Sequence, residues 1–195
     1  MINNLKYTSL IAGGNQDTFR QFMELHADEL FFFAKGFIRN PEVAEEIVSD
    51  VFVKIWINRS ELNKINNLKS YLFICVKNGC LSHLRKTKKE KIISIDEINE
   101  FHFLPVEGSE IDIINKEIIN QIYSAIELLP PKCKMAFSLA KINGLRHREI
   151  AEVMGVSEKT VNNHIVSAIK KIAISLNVEK KSRAKKSPFR RASLF

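Results

Sequence analysis

The stretch Gly144–Lys171, GLRHREIAEVMGVSEKTVNNHIVSAIKK, decides the fold. Ile150, Ala151 and Met154 put an apolar stripe on a short helix. Gly155 supplies a residue that takes positive φ and ends it. Ser157 stands where an N-cap belongs, its hydroxyl able to accept a backbone N–H. Val156 before that cap and Val161 four residues after it have the spacing of a hydrophobic staple. Val161, Ile165, Ala168 and Ile172 then recur on the inward side of a second helix. Its outward side carries Glu158, Lys159, Asn162, Asn163, Ser167 and Lys170. Asn can read adenine in a major groove, and Lys can contact guanine or phosphate. The pattern predicts a helix-turn-helix whose second helix recognises DNA. A plain helical hairpin with a solvated face is the alternative, but turn, cap, staple and spacing agree on the former. Arg146-His147-Arg148 stands where a Ser or Thr cap of the first helix would, so Arg146 or Arg148 is a candidate phosphate contact.

Working outward, the 195 residues are 45% apolar, enough for a packed core, with only seven Gly and five Pro. Helical spacing dominates, and the expected fold is all-α: two small helical domains joined by a flexible linker. Residues 1–16 are expected to be an extension. The first block covers 17–89, with Asp17 as N-cap and Pro41 opening a helix to about Ile57. A loop follows over Asn58–Asn67, then a helix over Leu68–Lys86. Residues 90–112 form an acidic linker with Asp96, Glu97, Glu100, Glu107, Glu110 and Asp112; its apolar residues, Phe101 among them, are able to dock. The second block covers 113–178, with breaks at Pro130-Pro131 and Asn143-Gly144. Residues 179–195 read as a basic disordered tail, which contributes +6 of the net +8. Any DNA affinity of the folded part must therefore come from local patches.

Cys75, Cys80 and Cys133 are odd in number and form no CxxC, so neither a disulfide framework nor a zinc site is expected. No segment resembles a signal peptide or a bilayer span, and a soluble, cytoplasmic protein is expected. No Gly-rich phosphate loop, metal-spaced cluster or nucleophile elbow is present, so no catalytic residue, metal or cofactor is assigned.

The helix from Pro41 separates kinds of helix-turn-helix protein. Ala44, Ile47, Val48, Val51 and Ile55 make one core face, yet Phe52, Val53, Trp56 and Ile57 lie off it. Such a helix is either enclosed or docks on a partner; interleaved Asp50 and Lys54 favour the partner. In the following helix Tyr71, Leu72, Cys75, Leu81 and Leu84 are expected inside. Lys77, Asn78, Ser82, Arg85 and Lys86 form a polar side that a single nucleic-acid strand would suit, though a basic solvated face is the commoner explanation of such a pattern.

Four segments in order, AEEIVSDVFVKIW (Ala44–Trp56), SYLFICVKNGCLSHLRK (Ser70–Lys86), LLPPKCKMAF (Leu128–Phe137) and the helix-turn-helix, resemble the extracytoplasmic-function (ECF) sigma factors of RNA polymerase. The resemblance implies a sigma domain two over 17–89 and a domain four over 113–178. It implies that Asp50, Phe52, Val53 and Trp56 dock on the clamp helices of the polymerase largest subunit. It places Asn67, Lys69, Asn78, Ser82, Arg85 and Lys86 at the -10 element. It places Arg148, Lys159, Asn162, Asn163, Val166, Ser167 and Lys170 at the -35 element, with an apolar groove for the polymerase flap. Core polymerase, promoter DNA and an anti-sigma factor are the implied partners. The helix-turn-helix alone would equally suit a one-component regulator with a sensory N-terminal domain. Two departures stand out: Asn162 and Ser167 replace the family's frequent Arg, and Gly79 sits in mid-helix.

Overall fold

The computed structural model describes residues 4–88, 101–102 and 113–186, and every described regular element is helical. Residues 4–12 are not a bare extension. They form α1 (Asn4–Ala12), whose Ile11 is fully buried in the core. α2 (Gln16–Lys35) starts two residues earlier than expected, because Asn15 rather than Asp17 is the cap: Thr18 N donates to Asn15 Oδ1 at 2.8 Å. α3 (Pro41–Ile57) opens on Asn40, whose Oδ1 accepts from Val43 N at 2.9 Å, with Pro41 in the first turn. The expected loop 58–67 contains a 3-10 helix, Arg59–Lys64. α4 (Leu68–Lys88) follows.

α2, α3 and α4 pack on one another, and α1 closes their end against the 3-10 helix. The core holds Leu30, Phe33, Ala44, Val51, Leu72, Phe73 and Val76. Gly79 does not interrupt α4. A Cβ there would sit 2.8 Å from Ile47 Cγ2, so its absence lets α4 lie close against α3.

The second block is α5 (Ile113–Glu127), α6 (Pro131–Lys141), α7 (His147–Met154) and α8 (Glu158–Lys186). α8 continues past Val178, where a disordered tail was expected. Residues 179–186 contain no Gly or Pro and are rich in Lys, Arg and Ala, which favour helix. Residues 187–195, and the acidic positions of the expected linker, lie outside the described residues. Phe101 and His102 of that linker are described, and they are docked: Phe101 is buried and His102 N donates to Gly36 O at 2.9 Å. The main core runs from the first block into α6, α7 and α8. A smaller cluster of Ile126, Leu129, Cys133 and Ala168 lies under α5. Beside it the buried Lys134 pairs with Glu127 at 2.7 Å. Among the described residues, no helix is long and apolar enough to cross a membrane.

Candidate nucleic-acid interface

The α7–α8 turn follows its sequence closely. Gly155 has φ 67° and ψ 35°, left-handed values that end α7 at little cost for glycine. Ser157 Oγ accepts from Thr160 N at 3.1 Å and so caps α8. The missing cap of α7 is supplied from within: the Glu149 carboxylate accepts from Arg146 N at 2.7 Å. Ile150, Val153, Met154, Val161 and Ala168 are fully or almost fully buried and fix the angle between the two helices. Lys159, Asn162, Asn163, Val166 and Lys170 stand exposed along one side of α8, with Ser167 half-buried beside them. The amides and ammoniums offer donors to base edges and phosphates, and Val166 offers apolar contact to a thymine methyl. Arg148 is exposed and lies 3.6 Å from Glu152.

α4 divides its polar residues between two faces. Tyr71, Cys75, Asn78, Ser82 and Lys86 fall within about 80° of one another around the axis. They line one wall of a cleft of about 550 Å³, with Asp50, Lys54 and Asn58 on the other. Tyr71 was expected inside but is exposed, lining this cleft. Burial pushes the Cys75 thiol up, so it stays protonated there. Cys80, on the buried side, is pushed up to about 12. Arg85 is half-buried. Ser70 and Lys77 lie on a different face, about 100° round, turned toward α7.

Asn67 caps the start of α4: Ser70 N donates to Asn67 Oδ1 at 3.0 Å. Lys69 reaches Glu29 at 2.8 Å. Burial raises the Glu29 pKa, but hydrogen bonds from His26 and Lys69 together hold it below its ordinary value. The -10 set named from the sequence is therefore not one patch. Asn78, Ser82 and Lys86 share the cleft; Asn67 and Lys69 lie elsewhere. Tyr71, which the sequence reading put inside, lines the same cleft as Asn78 and Ser82. The stripe 71, 75, 78, 82, 86 has helical spacing and was the signal for its place there.

The four residues named for polymerase docking also separate. Asp50 and Val53 are exposed, Val53 at 56%, and Ile57 extends their face at 67%. Phe52 is 3% exposed and meets Phe19 and Phe22 edge-on with centroids 6.4 Å apart, so it packs in the core. Trp56 is half-buried, tilted by 34° against Phe19 at 4.9 Å and covered by Arg59 at 4.7 Å. An indole and a phenyl ring on a helix with several apolar sides look alike in sequence; only α2 decides which is covered.

The model of sigma-70 region 2 matches residues 22–90, and that of sigma-70, region 4 matches residues 119–172. Together they span more than half of the chain, in that order, one on each helical block. The chain belongs to the ECF sigma factor family. It is similar to the ECF RNA polymerase sigma factor SigM of Bacillus subtilis, 21% identical over 160 residues that cover 82% of this chain and 96% of that one. It is also similar to the RNA polymerase sigma factor SigV of the same organism, at 25% over 154 residues, 79% and 88% of the two chains. In fold it resembles CnrH, solved in complex with the cytosolic domain of CnrY, with TM-score 0.58, 20% identity and 90% and 97% coverage. It resembles the sigma factor RpoE of Bartonella quintana, solved with the anti-sigma factor NepR, with TM-score 0.59, 22% identity and 82% and 97% coverage. As a sigma factor the chain is not an enzyme; it acts with core RNA polymerase at promoters. The alternative of a ligand-sensing regulator falls with the region 2 match, which occupies the place a sensory domain would need.

Proposed function

We propose that this ECF sigma factor docks on the polymerase clamp through Asp50, Val53 and Ile57, with Trp56 as a half-buried support. In this reading it melts and reads a -10 element with α4 and a -35 element with α8. Asn78, Ser82 and Lys86 face the opened strand, and the cleft beside Tyr71 takes an unstacked base. Lys159, Asn162, Asn163, Val166, Ser167 and Lys170 face the -35 groove, with Arg148 at its edge. The working unit of domain two is 4–89 once α1 is included; domain four is 113–178 plus the further turns of α8. A cytoplasmic location and an anti-sigma partner belong to the same reading. The latter is supported by the RpoE relative solved with NepR and by the exposed apolar pair Val53 and Ile57.

The observation that carries the reading is the α8 face: five exposed side chains at helical spacing, on a helix whose entry is fixed by Gly155 and Ser157. The test is reconstitution with purified core polymerase. The wild type should co-elute with core and support transcription from a cognate promoter. Val53→Asp, which adds a charge at an exposed position, should fold normally and lose core binding by at least tenfold. Normal core binding by Val53→Asp would remove α3 from the interface.

A further inference from the structure

α1 leaves α2 at an angle that the chain fixes from both sides. Gly14 takes φ 87°, a left-handed value that glycine adopts at little cost. Asn15 N donates to Leu10 O at 3.0 Å and Gly14 N to Ile11 O at 2.9 Å, which together close the C-terminus of α1. The Asn15 side chain then caps α2 by accepting from Thr18 N. One residue therefore ends the first helix and starts the second, and no slack is left between them. α1 is a rigid arm on α2. The match to sigma-70 region 2 begins at residue 22, so this arm lies outside it.

The arm lies along the 3-10 helix Arg59–Lys64. A 3-10 turn has poorer hydrogen-bond geometry than an α-helix, and this one starts at Asn58 without a side-chain cap. It needs support from its neighbours, and the main one is α1, with a lesser contact to α3. Ile11 is fully buried, Leu62 is 2% exposed, and both belong to one core. At the start of the segment, a Cβ on Gly14 would stand 3.7 Å from Arg59 Nε, so Arg59 lies against the α1–α2 turn. Its guanidinium covers the Trp56 ring and donates to Trp56 O at 2.9 Å. The same segment gives Asn58, Glu61, Leu62 and Ile65 to the cleft that Asn78, Ser82 and Lys86 line from α4. Leu62 is thus shared between the core and the cleft.

We propose that α1 is a strut that sets the 3-10 wall of this cleft, with Ile11 acting through Leu62 as a positioning residue for the base held there. α4 supplies the polar groups that read the base, and α1 sets how far the facing wall stands from them. Hydrogen bonds work over a donor–acceptor span of only about 0.5 Å. A slight retreat of the wall therefore loosens the base without unfolding the domain. Right and wrong bases are then held more nearly alike, so the loss falls on selectivity. The polymerase-docking and -35 faces lie on α3 and α8 and are untouched. The inference rests on the reading of this cleft as the holder of an unstacked -10 base.

The test uses the full chain with core polymerase and a promoter mapped with that holoenzyme. Templates carrying every base at each -10 position are transcribed, and the yield ratio of best to worst base is read where Asn78→Ala lowers it most. Ile11→Ala should lower that ratio about fivefold, on the scale of one hydrogen-bonded base contact, with core binding and the base ratio at a -35 position kept. Ile11→Val keeps most of the side chain and should retain the wild-type ratio. Gly14→Ala strains the α1–α2 turn without opening the core and should lower the ratio about twofold. It decides the matter if Ile11→Ala does not fold. Met135→Ala removes a similarly buried side chain from α6 and should leave the -10 ratio unchanged. An α1 variant that binds core and keeps the wild-type ratio, or an equal loss from Met135→Ala, would overturn the proposal. The two levels separate at Asn78. If Asn78→Ala lowers the ratio and the α1 variants do not, the strut alone falls. If Asn78→Ala lowers it at no -10 position, the reading of the cleft falls, and the strut's role with it.

Discussion

α4 and α8 both carry Asn, Ser and Lys at helical spacing, yet they sit in very different surroundings. α4 is packed by α2, α3 and α7, and its polar residues are shared between an open cleft and a seam occupied by the protein's own carboxylates. α8 packs on α5, α6 and α7 from one side only and leaves a continuous polar face bare. A polar stripe in sequence shows which residues avoid the core. Whether water, another helix or a ligand meets them is set by elements far away in the chain. Here α7, some eighty residues downstream, decides it for α4.

The sharpest break of this comparison is in the cores. Phe73 on α4 is fully buried and meets Phe33 at 4.9 Å between centroids. Phe73→Ala should cost about 3–5 kcal/mol in urea unfolding. Asn162→Ala on α8, at an exposed position, should leave that curve within about 0.5 kcal/mol. A small loss at Phe73 would mean that α4 is not the central helix described here.

The next effect is on DNA. Asn162→Ala should lower initiation by about tenfold at promoters with a matching -35 base, equivalent to the roughly 1–3 kcal/mol of a bidentate contact, while core binding is kept. An equal loss at every sequence would reassign Asn162 to a phosphate.

Most of this fold is legible in the sequence, and the reasons are local. Asn40-Pro41, Gly155 and Ser157 fix helix ends through their own backbone preferences, and the core face of α3 follows from 3.6-residue spacing. The cap of α2 and the length of α8 were misread locally; the other misplacements depend on distant partners. α1 belongs to the core because Ile11 finds a pocket there, and Phe52 is enclosed because α2 lies over it. Gly79 reads as a weak point until Ile47 is brought against it. The division of the -10 set is illegible for the same reason: Glu149 and Glu152 reach Asn67 and Ser70 only in the folded chain.

A smaller effect tests how firmly α8 is presented. Ser157→Ala removes the cap hydrogen bond to Thr160 N and should cost about 1 kcal/mol, read as a lower urea midpoint with unchanged slope. The smallest concerns pH. The Glu29 pKa lies below its ordinary 4.5 in the folded chain, so its contribution to stability is complete above that value and is lost as pH falls through the folded pKa. Lys69→Met removes one cause of the depression and should flatten the acid arm of the pH–stability curve. An unchanged arm would show that the Lys69–Glu29 contact is not maintained in solution.

The central claim, that α4 and α8 together direct polymerase to two promoter elements, is tested most directly by mapping transcript 5′ ends on genomic DNA with core polymerase and the purified chain. The account predicts discrete starts, absent with core alone, that share a -10 and a -35 sequence at constant spacing. A chain that binds core yet yields no new starts, or starts sharing neither element, would contradict it.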